Sequence, residues 1–334
     1  MGVKIKNIEF ITPSIKLTND DLKNEFQDYN FKRFEKRVGI RQRFIAAKNE
    51  TTLSLAEKAC EKLFDNSGLE KKDVDYIILC TQNPEYKLPT TACILQDRLG
   101  LCKDVGSFDF NLGCSGYVYG LFLAKKIICE EKKNLIFVTS ETYSKMLHPE
   151  DRSNRSIFGD AATATWVQYS EIDSIKEFVL GTDGSGYDKL IVKNGGCKNP
   201  FNPSPKKIPY GSGNIYSDNH IYMDGPEIFD FTSTKIPELI KETLIKNKVD
   251  KKDIDQYILH QANKILLNQI RVSLGIPKED FFINLHKYGN TVSNTIPIAL
   301  KEYFDQNKTD YKPKNIVLTG FGVGLSWASC LIKI

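Results

Sequence analysis

An α/β fold with parallel sheets, built twice over in one chain, is what this sequence predicts, and three observations predict it. The first is an internal echo. Lys71-Lys72-Asp73-Val74-Asp75-Tyr76-Ile77-Ile78-Leu79-Cys80 reads almost as Lys251-Lys252-Asp253-Ile254-Asp255-Gln256-Tyr257-Ile258-Leu259-His260. Leu99-Gly100 answers Leu274-Gly275, Asn111-Leu112 answers Asn284-Leu285, and 134–138 answers 315–318, in the same order and at offsets of 173–181 residues. Four matches in one order point to a duplicated half-chain. The second observation is the short, wholly apolar run at 76–80 and again at 257–259, the pattern of a strand buried on both faces. The third is that such runs alternate with helical stripes, the order that layered parallel sheets leave in a sequence.

Each element has its own reason. Residues 53–64 place apolar side chains at 55, 56, 59, 60, 63 and 64, one face of a helix that Gly68 can close. Strand 76–80 follows, then helix 90–99, strand 107–110, helix 117–129, strand 135–140 and strand 163–167. The second half repeats the plan with helix 226–246, strand 257–259, helices 263–274 and 291–304, strand 316–319 and a strand-like run at 326–332. Residues 194–219 hold four prolines and four glycines, which predicts a long surface excursion. The expected division is 1–172 and 173–334, with the excursion inside the second unit.

Composition narrows the function. Of 334 residues, 41% are hydrophobic and 26% charged, values of a globular chain with a full-sized core. Lys and Arg total 46 against 42 Asp and Glu, and only eight of the 46 are Arg, so nucleic-acid binding is not expected. The eight cysteines form no CxxC pair, and no histidine stands at ligand spacing from them, so no metal site is expected. Most lie in apolar runs, where a thiol packs as a small hydrophobe. Residues 1–10 do not form a signal-peptide core, and no apolar run approaches the ~18 residues of a membrane span. The expectation is a cytoplasmic chain with free thiols.

Three polar residues stand where chemistry is done. Cys114, in Asn111-Leu112-Gly113-Cys114-Ser115-Gly116-Tyr117, follows a strand and opens an apolar helix. The positive end of that helix is expected to lower the thiol pKa and favour the nucleophilic thiolate. His260 ends a buried strand, at the carboxyl edge where open α/β sheets place their sites. In the duplicated frame it replaces Cys80, and a polar ring at a matched core position is not there for stability. Asn290, in Tyr288-Gly289-Asn290-Thr291, is alone a turn-and-cap residue, and the company of Cys114 and His260 raises it. Gly320-Phe321-Gly322-Val323-Gly324 leads into a strand, not a helix, so it is no dinucleotide fingerprint. It reads as backbone brought close to a reacting carbonyl. Phe158-Gly159-Asp160 reads as a packing turn, and His148, His220 and His286 as bystanders.

Taken together these motifs, with Gly39-Ile40-Arg41-Gln42-Arg43-Phe44-Ile45-Ala46 and His260-Gln261-Ala262-Asn263, resemble the ketoacyl synthase III branch of the thiolase superfamily. The resemblance runs in the family's order over nearly the whole chain. It implies a five-layered αβαβα fold of two pseudo-equivalent halves, each with a five-stranded sheet, assembled as a homodimer. It implies that Cys114 takes an acyl group from an acyl thioester, with its own N–H and one near Val323 as oxyanion donors. Malonyl on acyl carrier protein then loses CO2, His260 and Asn290 donate to the enolate oxygen, and Phe321 lies against the departing carboxylate. No permanently bound cofactor is implied; coenzyme A or phosphopantetheine thioesters are substrates. Arg37, Arg152 and Asn263 are the implied coenzyme A contacts, although Arg33 stands where many members carry an adenine-stacking Trp. Leu88 takes the place of a bulky Phe that reaches the partner's acyl pocket. Asp230 and Ile265 replace basic carrier-docking residues, for which Lys264, Arg271 and Lys235 could substitute.

Other readings share some of these residues. The 146 residues from Cys114 to His260 fall in the ~130–150 window of papain-like hydrolases, but the Cys signature is absent and the chain is duplicated. A closer alternative keeps the fold and moves the acyl group to an amine or hydroxyl. A silent partner subunit would not be expected to retain Cys114, His260 and Asn290 together.

Overall fold

Strand Gly2–Ile11 runs antiparallel to Ala161–Ser170, which pairs in turn with Asn134–Glu141; Tyr76–Cys80 and Gly106–Phe110 complete a five-stranded sheet in that order. A computed structural model describes residues 2–131, 133–307 and 314–334. A second sheet carries Gln256–Leu259, Asn315–Gly322, Ser326–Lys333 and Ile175–Thr182 in that order. Tyr76–Cys80 and Gln256–Leu259 each lie parallel to their neighbours, as buried apolar runs should.

Alternation of side chains along the strands sets the layers. Ile78 and Cys80 face one way and meet Ile258, Ile316 and Leu318 of the other sheet across helices Gly116–Glu131 and Thr295–Gln306. Ile77 and Leu79 face the other way, onto helix Thr52–Ser67. Tyr257, Leu259 and Val317 likewise cover Gly225–Lys246 and Lys264–Ser273. Helix, sheet, helix, sheet, helix: the five layers are those the resemblance implies. Burying each Leu or Ile of these interfaces contributes roughly 1.5–3 kcal/mol.

The echo has a physical cause. Asn134 donates from its backbone to Asp75 Oδ2 (2.9 Å) and from Nδ2 to the Asp73 carbonyl (3.1 Å). Asn315 does the same to Asp255 Oδ2 (2.7 Å) and the Asp253 carbonyl (2.8 Å). Each Asn thus locks the start of its strand to a short turn, Lys71–Asp73 or Lys251–Asp253. Gly100 and Gly275 match too, both at positive φ after a helix.

Several expectations need correcting. Among the described residues the second sheet has four strands, not five. The equivalent of Gly106–Phe110 is a single bridge between Tyr257 and Phe281, because the chain there turns at once into the helix Leu285–Tyr288. Strands Gly2–Ile11 and Ile175–Thr182 and the antiparallel pair Ile15–Thr18 with Gln42–Ile45 give no clear sequence signal. A register shift between Ile5 and Asn7 breaks the period of the first, and Glu9 is buried there, held by Lys62 (3.2 Å) and Lys301 (3.5 Å). The excursion is mostly exposed but not loose: it holds the hairpin Ile208–Tyr210 with Asn214–Tyr216, and Asn214 and Tyr216 are buried. Cys60, Cys80, Cys114 and Cys330 are buried, whereas Cys93, Cys102 and Cys197 are exposed; the Cys129 side chain lies outside the described residues. Among the described residues no helix is long and apolar enough to cross a membrane, and no group of three His, Cys, Asp or Glu side chains could hold a metal ion.

Candidate active site

Cys114 lies between strand Gly106–Phe110 and the central helix Gly116–Glu131, buried against the end of Asn315–Gly322. The two strands' carboxyl ends come this close only because glycine stands there. A Cβ on Gly322 would sit 3.1 Å from Cys114 Sγ, and one on Gly320 would sit 2.8 Å from the Cys114 carbonyl oxygen and 2.9 Å from Ser115 Cα. Gly320 and Gly322 belong to the strand itself, so the glycine strip is strand first and turn only from Val323. Gly320→Ala should therefore push backbone against backbone, lowering stability by about 1–3 kcal/mol and disturbing Cys114. Denaturant midpoints and acyl-adduct mass read the two effects separately.

His260 is the first residue past Gln256–Leu259, and its N–H donates to the Thr319 carbonyl at 2.8 Å. Its ring stands edge-on to Phe321 (5.5 Å between centroids, 85°), and Nδ1 lies 2.7 Å from Thr295 Oγ1. Asn290 is held by both backbone groups: its N–H donates to the Ile157 carbonyl (2.9 Å) and its carbonyl accepts from Gly159 (3.0 Å). Its Oδ1 accepts from the Val292 N–H at 2.9 Å, which leaves the amide nitrogen as the end available to a ligand. Cys114, His260, Asn290, Phe321 and Gly322 line one cavity of about 180 Å3.

The electrostatics revise one expectation. Burial, reinforced by the Glu141 carboxylate, pushes the Cys114 thiol up, against the expected pull of the helix start. Burial lowers His260 to about 3, so the imidazole is neutral at neutral pH. The resting pair is thiol and neutral imidazole. A nucleophile in that state needs a proton acceptor as it attacks, and the imidazole is one. Glu141, raised to about 8 chiefly by burial, accepts from the Gln82 N–H (3.1 Å) and the Ser293 hydroxyl (2.9 Å), tying the Cys114 side of the site to the Asn290 loop. Neither Glu141 nor Thr295 carries a signal in the sequence beyond its place at the end of a strand or the start of a helix.

The remaining candidates spread outward. Asn263 borders the same cavity while capping Lys264–Ser273 through Leu266 N–H (2.9 Å). Val323 packs in the cluster around Cys114 but does not line the cavity. Arg37 lines a separate surface hollow with Arg33, Tyr29 and Ile265. Arg152 stacks over the Tyr29 ring at 4.2 Å and donates to the Ser212 carbonyl at 2.5 Å. Lys264 is exposed, whereas Arg271 donates to the Ile276 carbonyl (2.8 Å) and Lys235 lies between Glu238 (3.5 Å), Glu242 (3.9 Å) and the Trp327 ring (5.3 Å). Leu88 stands 82% exposed, away from the cavity of its own chain. Asp160 accepts from Ala46 (2.7 Å) and Ser144 (2.9 Å) backbone N–H groups, a packing role. His148 and His220 pack edge to face at 5.0 Å, outside the cavity.

A duplicated five-layer α/β fold with a cysteine, a histidine and an asparagine in one apolar cavity defines an acyl-transferring enzyme of the thiolase-like class. Profiles described as 3-oxoacyl-[acyl-carrier-protein (ACP)] synthase III and its C-terminal part match residues 108–184 and 244–334. A beta-ketoacyl-[acyl-carrier-protein] synthase III of Clostridium perfringens is 39% identical over 100% of this chain and 99% of its own, and that of Natranaerobius thermophilus 36% identical over 96% of each. A crystal structure of 3-oxoacyl-(acyl-carrier-protein) synthase III superposes with a TM-score of 0.96 at 41% identity, covering all of both chains. That of a 3-oxoacyl-(acyl-carrier protein) synthase from Burkholderia xenovorans gives 0.89 at 32%, covering 100% of this chain and 94% of the other. This chain belongs to the 3-oxoacyl-[acyl-carrier-protein] synthase III family, and it is an acyltransferase. The papain-like reading falls with the fold.

Proposed function

We propose that the chain joins an acyl group to malonyl-acyl carrier protein by decarboxylative condensation, with Cys114 as the acyl carrier and His260 and Asn290 at the enolate. The observation that carries this reading is the single cavity in which Cys114, His260, Asn290 and Phe321 meet. In the first half-reaction the Cys114 sulfur attacks the thioester carbonyl and the donor leaves as a free thiol; the backbone N–H groups at Cys114 and Val323 are the proposed oxyanion donors. In the second, malonyl loses CO2 and its electron pair forms an enolate beside Asn290 and His260. The carbanion attacks the acyl carbon, the bond to Cys114 breaks, and a β-ketoacyl product leaves. Phe321 is an apolar neighbour for the carboxylate that departs. Incubation with a panel of acyl-coenzyme A and acyl-carrier donors, followed by intact-mass measurement, identifies the starter; CO2 release from malonyl-carrier protein then tests the condensation.

Substrate delivery follows from the outer residues. Arg152, Arg37 and Asn263 are proposed to meet coenzyme A or the pantetheine arm. For the carrier protein, the exposure of Lys264 supports it over Arg271, whose guanidinium is turned to the Ile276 carbonyl, and Lys235, which is paired with Glu238. The repeated Asp–Asn locks support two units, 1–172 and 173–334. The described cysteines are all free thiols, which supports a cytoplasmic setting.

Exposed Leu88 and Tyr86 on one loop support a homodimer in which Leu88 reaches the partner's acyl pocket. Light scattering should give twice the chain mass. Leu88→Phe should shift the preferred starter toward shorter acyl chains, read from adduct masses; a monomer, or an unchanged preference, contradicts this assignment.

A further inference from the structure

Arg43 is the largest fully buried side chain among the described residues. Burial draws its pKa down to about 10, so it is charged at neutral pH. Its partners are neutral oxygens. Nη2 donates to the Ser156 carbonyl (2.6 Å) and to Asn19 Oδ1 (2.8 Å), and Nη1 to the Leu17 carbonyl (3.3 Å). Asn19 Nδ2 in turn donates to the Ile40 carbonyl at 2.9 Å, which fixes the way its amide faces. A guanidinium only donates, so the direction of each bond is settled. Nε is buried with no hydrogen-bond partner among the described residues. A charge buried on such terms is costly, and an apolar side chain of similar volume would serve stability as well. What Arg43 supplies is geometry.

The bonds hold one wall of the cavity. Ser156 precedes Ile157 and Phe158, which line the cavity together with Asn290. Phe158 and Asn290 form a parallel bridge, so segments 156–160 and 286–290 run side by side as two arms. Strand Gln42–Ile45 grips both. The Phe44 carbonyl accepts from the Asp160 N–H (2.7 Å), and the neighbouring Arg41 N–H donates to the His286 carbonyl (3.2 Å). The Arg43 stem lies against the glycine of each arm: a Cβ on Gly159 would sit 3.0 Å from Arg43 Cβ, and one on Gly289 3.2 Å from it. Just past Asn290 the chain turns at Val292, buried at φ +57°. A β-branched residue keeps that strained conformation only where its surroundings impose it.

We propose that Arg43 is a positioning residue for the second half-reaction, clamping the two arms so that the Asn290 amide and Phe158 keep fixed places in the cavity. This rests on the condensing reading above. Arg43 touches no substrate and acts through Asn290. Cys114 is held by other elements, the turn before Gly116–Glu131 and the glycines of Asn315–Gly322, so loading does not depend on the clamp. A displacement of about 1 Å in a positioning group is enough to cost up to ~10²-fold in rate. Lysine is no substitute, because a single ammonium does not reproduce the planar fork that spans Ser156 and Asn19.

The test compares the two half-reactions in the full chain, well below its melting temperature. Arg43→Met keeps the stem and removes the donors. It should load acyl groups onto Cys114 within about threefold of the parent, while CO2 release from malonyl-carrier protein falls about tenfold or more. Arg43→Lys should show the same split. Added to Asn290→Ala, Arg43→Met should lower CO2 release by less than about threefold further, because the two act as one unit. Equal losses in loading and condensation overturn the proposal, since they mark a merely structural role. So does condensation at the parent rate, or a full further tenfold loss in the double variant. Should Arg43→Met fail to fold, Asn19→Ala, which removes one anchor of the guanidinium, must show the same split in smaller measure; parent behaviour in both steps then overturns the proposal. A parent that loads but releases no CO2 overturns the condensing reading, and this role for Arg43 falls with it. A parent that condenses no faster than Arg43→Met overturns the role alone.

Discussion

Cys114→Ala should acquire no acyl adduct from any thioester and should remain folded. The side chain is buried, so the substitution deletes one sulfur from a packed site, a loss of about 1–2 kcal/mol at most on the scale of single buried groups. Nothing else in the cavity can take over. His260 is neutral, Asn290 is an amide, and Cys80, one of the other buried thiols of this half, donates to the Leu112 carbonyl at 2.8 Å with its pKa pushed far up by burial. Intact mass after incubation with acyl donors reads the first effect, and a thermal melt reads the second. An adduct on Cys114→Ala would remove Cys114 from the mechanism; an unfolded variant would make its role structural.

Much of this was legible in the sequence, for identifiable reasons. The echo at 71–80 and 251–260 survives because the Asp–Asn locks and the buried strands impose the same demands twice. Cys114, His260 and Asn290 stand out because each breaks a local pattern: a reactive thiol at a helix start, a ring where the duplicate has Cys80, an amide in a glycine turn. The weak places are equally physical. Helix position argues for a lowered thiol pKa, but burial acts in the opposite direction and depends on the other half of the chain, which local sequence does not display. The strand at 2–11 buries Glu9 through ion pairs with distant helices, and that at 175–182 is covered by distant helices, so neither shows clean alternation. Glu141 and Thr295 act through contacts across the two halves or around a strained turn, and no spacing rule points to either. Lys235 and Arg271 look like free charges in a linear reading, and only packing reveals their partners.

Asn290→Ala should still load an acyl group onto Cys114 and then stall. The amide nitrogen is the end of Asn290 left available once Val292 has taken Oδ1, and it is assigned to an oxygen that gains charge only after decarboxylation begins. A donor aimed at a developing oxyanion is worth roughly 10²–10³ in rate, or ~3–4 kcal/mol, and contributes nothing to a step in which that charge is absent. Loading should therefore stay within a few-fold of the parent, while CO2 release and β-ketoacyl formation fall about a hundredfold or more. His260→Ala should differ in kind. It removes the proton acceptor beside the thiol as well as a neighbour of the enolate, so it should load more slowly and also condense poorly. Adduct formation followed in time by intact mass, and CO2 release from malonyl-carrier protein by the preloaded variants, separate the two steps. If both variants fail to load, the site is a Cys–His nucleophile of hydrolase type within this fold, and Asn290 belongs to its orientation. If both load normally and the parent releases no CO2, the acyl group on Cys114 goes to an amine or hydroxyl acceptor, and the enolate assignment is wrong.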